Sequence, residues 1–102
     1  MTELIEQRRP ELTEICRRHG VKSLEIFGSA ADGNFDPNCS DLDFLVDFLP
    51  ASPSAHSKAY FGLWFALEDL FGRKVDLLET PALTNPFFLQ SIRPSRRVLY
   101  AG

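Results

Sequence analysis

The sequence predicts an α/β (α+β) fold, a small sheet with helices packed against it. Two observations carry this. Residues 21–27, 42–48 and 75–78 are short runs whose side chains alternate with a period of two, as in strands with two distinct faces. Two longer segments, 10–19 and 57–72, instead space their apolar residues at helical intervals.

The elements follow in order. Residues 2–7 read as a short helical turn with Thr2 as its cap. Pro10 suits the first turn of a second helix, in which Leu12, Ile15 and Cys16 share a face and Gly20 closes the end. In the first strand, 21–27, Leu24 and Ile26 point one way and Glu25 and Phe27 the other. Gly28 ends it, Ser29 caps a turn through Ala30 and Ala31, and residues 34–40 form a polar loop. In the second strand, 42–48, Leu42, Phe44, Val46 and Phe48 share one face, and Asp43, Leu45 and Asp47 continue the face begun by Asp41.

Residues 50–54, PASPS, read as a break and linker, after which 57–72 form a helix. Its apolar stripe is wide enough to predict burial on more than one side. The stripe of Trp64 and phenylalanines reads as core, with any part left exposed available to a partner. The third strand, 75–78, puts Val75 and Leu77 on one face and Asp76 and Leu78 on the other. Residues 81–86 are an irregular connection and 87–92 a short helix; 98–100 are either an edge strand or the end of a tail.

Length and charge bound the function. A chain of 102 residues is read as one domain, 1–102. The longest apolar-rich run, 60–71, is interrupted by Gly62, Glu68 and Asp69 and is too short to span a bilayer. The charged N-terminus has no signal-peptide core, so the expected location is the cytoplasm. A net charge of −3 argues against direct nucleic-acid binding. Arg93, Arg96 and Arg97 read as a solvated tail face. Cys16 and Cys39 lack metal-ligand spacing; Cys16 is read as a small apolar core residue and Cys39 as a loop residue.

The stretch 27–46, FGSAADGNFDPNCSDLDFLV, combines three features. Gly28-Ser29 follows a strand, a polar loop follows the pair, and Asp41-Leu42-Asp43 opens the next strand. Asp76 then lies inside a later apolar strand. This conjunction resembles the signature of the DNA polymerase β-type nucleotidyltransferase superfamily. The likeness is closest to its minimal nucleotidyltransferase branch, which is paired with HEPN-domain toxins. The ending NPFFLQSIRPSRRVLYAG is similar to the tails of that branch.

The resemblance implies the polymerase β-type fold, a mixed sheet with helices on one face. It also implies a Mg²⁺-dependent enzyme that transfers AMP from ATP to a tyrosine hydroxyl of a cognate HEPN toxin and so acts as an antitoxin. It assigns Asp41, Asp43 and Asp76 to catalysis and metal binding, and Gly28 and Ser29 to the triphosphate. The chemistry is coherent. Residues i and i+2 of a strand lie on one side, about 6–7 Å apart, so Asp41 and Asp43 can converge, with Asp76 beside them if its strand is a neighbour. Three adjacent carboxylates repel; two Mg²⁺ ions about 3.5–4 Å apart would relieve this. Gly28 allows close backbone approach, and a helix opened by Ser29 would offer free N–H groups to an anion.

One position departs from the family pattern: Asp32 stands where many members carry Arg. It motivates a different class of function, a degenerate transferase that neutralises its partner by contact alone. A free-standing transferase acting on a small hydroxylated molecule is a third possibility, but such relatives carry additional domains. Homo- and hetero-oligomers are both open. Other chemistries find no support. A calcium loop over 36–47 would need Gly, not Asp41, at its sixth position; neither a P-loop lysine nor GxGxxG occurs; Ser29 has no His partner suggesting a triad. His19 and His56 read as isolated surface residues.

Overall fold

The computed structural model describes residues 3–27, 42–79, 86–87, 90 and 96–101. Helices α1 (Glu3–Gln7) and α2 (Arg9–Arg18) precede strand β1 (Val21–Phe27). Strand β2 (Leu42–Phe48) is followed by the long helix α3 (Pro53–Phe71), strand β3 (Val75–Glu79) and strand β4 (Arg97–Ala101). The four strands form one mixed sheet in the order β3-β2-β1-β4. β1 pairs antiparallel with β2 and β4, whereas β2 and β3 run parallel. Parallel neighbours need a crossover, and α3 supplies it. Of the two readings of the C-terminal residues, the strand is the one observed, although it forms the sheet edge with an irregular register between Leu24 and Glu25.

The alternation of the strands is explained by one-sided helix packing. Leu24 and Ile26 of β1, Leu42, Phe44 and Val46 of β2, Val75 and Leu77 of β3 and Leu99 of β4 are buried in one core. Leu12 and Cys16 of α2 and Leu63, Leu67 and Phe71 of α3 close that core from above, with Ile5 of α1 alongside. Phe44 stacks on Phe71 with ring centroids 6.0 Å apart. The opposite sheet face carries a separate small cluster of Phe27, Leu45 and Leu78.

The long helix starts earlier than the sequence pattern suggests. Residues 50–54 are not simply a linker. Ser52 adopts an extended conformation, and its Oγ accepts the Ala55 N–H at 3.3 Å, capping α3. Pro53 then occupies the first turn, where its missing N–H has no intrahelical role. The helix ends at Gly72, whose φ of +63° is accessible at little cost only without a side chain. Its N–H donates to the Glu68 carbonyl at 2.8 Å.

The breadth of the apolar stripe on α3 is also misleading about burial. One face packs on the sheet, but Phe61 and Phe65 on the other are 47% and 64% exposed. Trp64 is only half-buried. Pro86, Phe87 and Gln90 have helical backbone, while the rest of the helix read at 87–92, the turn at 29–31 and the loop bearing Cys39 lie outside the described residues.

Candidate active site

The outer face of the sheet is built from rows of side chains. Phe27, the last residue of β1, pairs with Asp43 near the start of β2, and Asp43 pairs with Asp76 on β3. The first row therefore reads Phe27, Asp43, Asp76. Asp43 is half-buried and Asp76 exposed. The next row is Glu25, Leu45, Leu78. Leu45 is fully buried and packs with Phe27 and the half-buried Leu78, giving the acidic pair an apolar floor.

Two of the three candidate carboxylates are thus brought together. Neighbouring strands lie about 4.8 Å apart, and residues in one register row project to the same face. Asp41, Gly28 and Ser29 lie outside the described residues; Gly28 and Ser29 follow Phe27 directly in the chain. Among the described residues, no group of three or more His, Cys, Asp or Glu side chains is arranged to hold a metal ion. The oxygen donors of Asp43 and Asp76 are the kind that a hard divalent cation selects.

The surroundings of this row contain pairings that the sequence does not announce. Arg96 makes a two-pronged ion pair with Glu25: its Nε donates to Oε2 at 2.7 Å and its Nη2 to Oε1 at 2.8 Å. The hydrogen bond to Glu25, opposed by burial, raises the Arg96 pKa further above its ordinary value. Arg96 is therefore tied to β1 rather than part of a solvated tail face; Arg97 is exposed, and Arg93 lies outside the described residues. Separation by 71 positions hides the Glu25–Arg96 pair from any local pattern.

The strand bearing Asp76 is anchored from α3. Trp64 Nε1 donates to the Val75 carbonyl at 2.9 Å and the Tyr60 hydroxyl to the Leu77 carbonyl at 2.5 Å. The Val75 N–H in turn donates to Glu68 Oε2 at 3.3 Å. These bonds flank Asp76 on both sides. Burial, then the charges of Glu79 and Asp76, push the Tyr60 pKa above its ordinary value.

At the far end of β2 and β3, His56 is not isolated. Its Nε2 lies 2.5 Å from Glu79 Oε1, and its ring meets Phe48 edge-on. Together with Asp47 they line an open cleft of about 420 Å³. His19 is half-buried, with Nδ1 2.8 Å from the Ile15 carbonyl oxygen. Among the described residues, no helix is long and apolar enough to cross a membrane.

Residues 10–99 match the family model described as the nucleotidyltransferase domain. The chain belongs to the nucleotidyltransferase family. This nucleotidyltransferase is 38% identical over 90 residues to "Putative protein adenylyltransferase MJ0128" of Methanocaldococcus jannaschii, covering 80% of this chain and 88% of that protein. A solved structure described as a "putative minimal nucleotidyltransferase" superposes with a TM-score of 0.69 at 29% identity, over 93% of this chain and 92% of that one. A tri-AMPylated Shewanella oneidensis HEPN toxin in complex with an MNT antitoxin gives a TM-score of 0.60 at 16% identity, covering 96% and 73%, a likeness of fold alone. The expected fold is therefore present, and the chain is an enzyme of the nucleotidyl-transfer class.

Proposed function

We propose that this nucleotidyltransferase moves AMP from ATP to a tyrosine hydroxyl of a HEPN-domain toxin in the cytoplasm and so serves as its antitoxin. Asp41, Asp43 and Asp76 are the catalytic carboxylates, Gly28 and Ser29 hold the triphosphate, and the cofactor is a pair of Mg²⁺ ions. Residues 1–102 act as one domain.

The observation that carries this proposal is the row Phe27, Asp43, Asp76. Like charges directly opposite each other across strands are destabilising, so the pair is costly for the fold and useful for binding a cation. Oxygen donors on two strands, one exposed and one half-buried, suit Mg²⁺, which binds through few carboxylates plus substrate phosphates. Asp41, two residues before Asp43, is the third ligand. When bound, the metal supplies charge neutralisation to the polyphosphate and acidifies the attacking hydroxyl.

The chain's own groups do the rest. Gly28 and Ser29 follow Phe27, the register partner of Asp43, in the chain; in this reading the glycine permits close backbone approach and the serine hydroxyl donates to a phosphate oxygen. The acceptor tyrosine oxygen attacks the α-phosphorus and a new P–O bond forms. The bond to the β,γ-diphosphate breaks in line, and pyrophosphate leaves. Asp76 receives the tyrosine proton. The protein adenylyltransferase name of the Methanocaldococcus relative and the AMPylated toxin in the complex of similar fold support a protein acceptor.

The test is to mix the protein with the product of the adjacent gene and Mg-ATP, then weigh that partner. A mass gain of one or more AMP groups, abolished by Asp43→Asn, is expected. An unmodified partner would refute the transfer. Asp32 favours one second reading, neutralisation by contact alone, which predicts a tight complex indifferent to ATP, Mg²⁺ and Asp43→Asn.

A further inference from the structure

We propose that the aromatic outer face of α3 is the surface on which the protein acceptor docks, and that the acceptor presents an apolar patch rimmed by arginine or lysine. The proposal rests on the transfer to a protein proposed above and specifies where that protein binds.

The face is a continuous stack of rings. Phe61 lies against Trp64 with centroids 6.2 Å apart and planes 21° from parallel. Trp64 lies against Phe65 at 6.4 Å and 8°. Tyr60 meets Phe61 and Trp64 edge-on at 5.3 and 6.0 Å. Phe61 and Phe65 nevertheless remain 47% and 64% exposed. Exposed aromatics grouped on one helix face leave apolar area in water, and such patches mark interaction surfaces. Aromatic side chains are also the residues that most often dominate binding energy.

Position and charge select the occupant. The stack abuts the edge of β3, because Trp64 and Tyr60 bond to the carbonyls on either side of Asp76. A protein covering the stack therefore reaches the edge of the proposed site. Among the described residues the border of the stack is acidic by a small margin: Glu68 and Asp69 follow it along α3 and Asp76 and Glu79 flank it on β3, against Lys58 on the preceding turn and Arg73 and Lys74 between α3 and β3. A basic rim on the partner complements this border, and arginine adds attraction to the ring faces. A two-fold contact with a second copy would bury the edge that carries Asp76.

The experiment titrates the protein encoded by the adjacent gene calorimetrically into wild type, the Phe61→Ser/Phe65→Ser variant, Asp69→Lys and Asp76→Asn. Both phenylalanines are exposed, so the double variant is expected to keep its fold, checked by circular dichroism. Its affinity for the partner falls at least ten-fold and its KM for the partner rises, while kcat and ATP affinity stay unchanged. Asp69→Lys weakens binding in the same direction. Asp76→Asn still binds but does not transfer. If wild type binds without transferring, the catalytic proposal fails while the docking surface stands on the double variant's loss of affinity. Unchanged binding by the double variant overturns the docking surface, and unchanged binding by Asp69→Lys overturns the basic rim. Failure of wild type to bind, or a wild-type dimer that the double variant dissociates in sedimentation, overturns the assignment of this face to the acceptor.

Discussion

Asp43 and Asp76 are register partners on parallel neighbouring strands, two acids set side by side on the sheet face opposite α2 and α3. Two consequences can be measured. Without a divalent cation, Asp76→Asn should be as stable as wild type or more so, by a few tenths of a kcal/mol up to about 1 kcal/mol, because a like-charge cross-strand pair is relieved. With millimolar Mg²⁺, the melting temperature of wild type should rise, since a ligand that binds only the folded state stabilises it, and that of Asp76→Asn should not. Thermal unfolding with EDTA or Mg²⁺ checks both. Equal responses in the two proteins would remove Asp76 from the metal site.

Among the described residues, the outer edge of β3 is met by side chains of α3 and by no further strand. Tyr60→Phe deletes the donor to the Leu77 carbonyl while keeping the ring. The loss should cost about 1 kcal/mol and speed hydrogen exchange through residues 75–79, measured by mass spectrometry. Nucleotidyl transfer should fall as well, because Asp76 sits between the two anchored carbonyls. Unaltered exchange in β3 would show that Trp64 and Glu68 hold the edge without help.

Gly62 tests a contact between the two long helices. A Cβ placed on it would come within 2.9 Å of the His19 ring, which is pinned by its Nδ1 lying 2.8 Å from the Ile15 carbonyl oxygen. Alanine in a helix interior normally gains up to about 1 kcal/mol over glycine. Here the clash should cancel or reverse that gain. In a His19→Ala background the same Gly62→Ala change should recover it. Urea denaturation of the four proteins gives the coupling; additive effects would show that His19 yields freely.

What the sequence made legible was whatever depends on local periodicity. The alternation of 42–48 and of 75–78 identifies both faces of β2 and β3, and the phases of Asp43 and Asp76 follow from it. Legibility fails where the cause is distant or ambiguous. Pro53 looks like an interruption, yet after a capping Ser52 it begins a helix. A wide aromatic stripe is equally compatible with a buried helix and with one bearing an exposed patch, and only the exposure of Phe61 and Phe65 decides between them. The Glu25–Arg96 and His56–Glu79 pairs span 71 and 23 positions, and no spacing rule reaches that far. At the candidate site, Asp76 was identified by likeness to a family pattern; its register with Asp43 is a property of the parallel pairing through α3.

Cys16 gives stability a predictable dependence on pH. The side chain is fully buried in the core of α2 and the sheet, and burial pushes its thiol from 9.0 up to about 12. Because the folded-state value is raised, the contribution is complete below about pH 9. It is lost as pH climbs toward about 12, where the unfolded chain gains from ionisation and the folded one resists it. The slope from this one group approaches about 1.4 kcal/mol per pH unit. Tyr60, raised from 10.0, adds in the same direction above that pH. Urea unfolding of wild type should therefore show a level stability up to about pH 9 and a decline above it. Cys16→Ala should start lower, because it leaves a small cavity, but decline less steeply. The native thiol should also resist Ellman's reagent at about pH 8 until denaturant is added, since the thiolate is the reactive form. Parallel pH profiles for the two proteins, or rapid labelling of Cys16 in the folded state, would show that the core admits the charge.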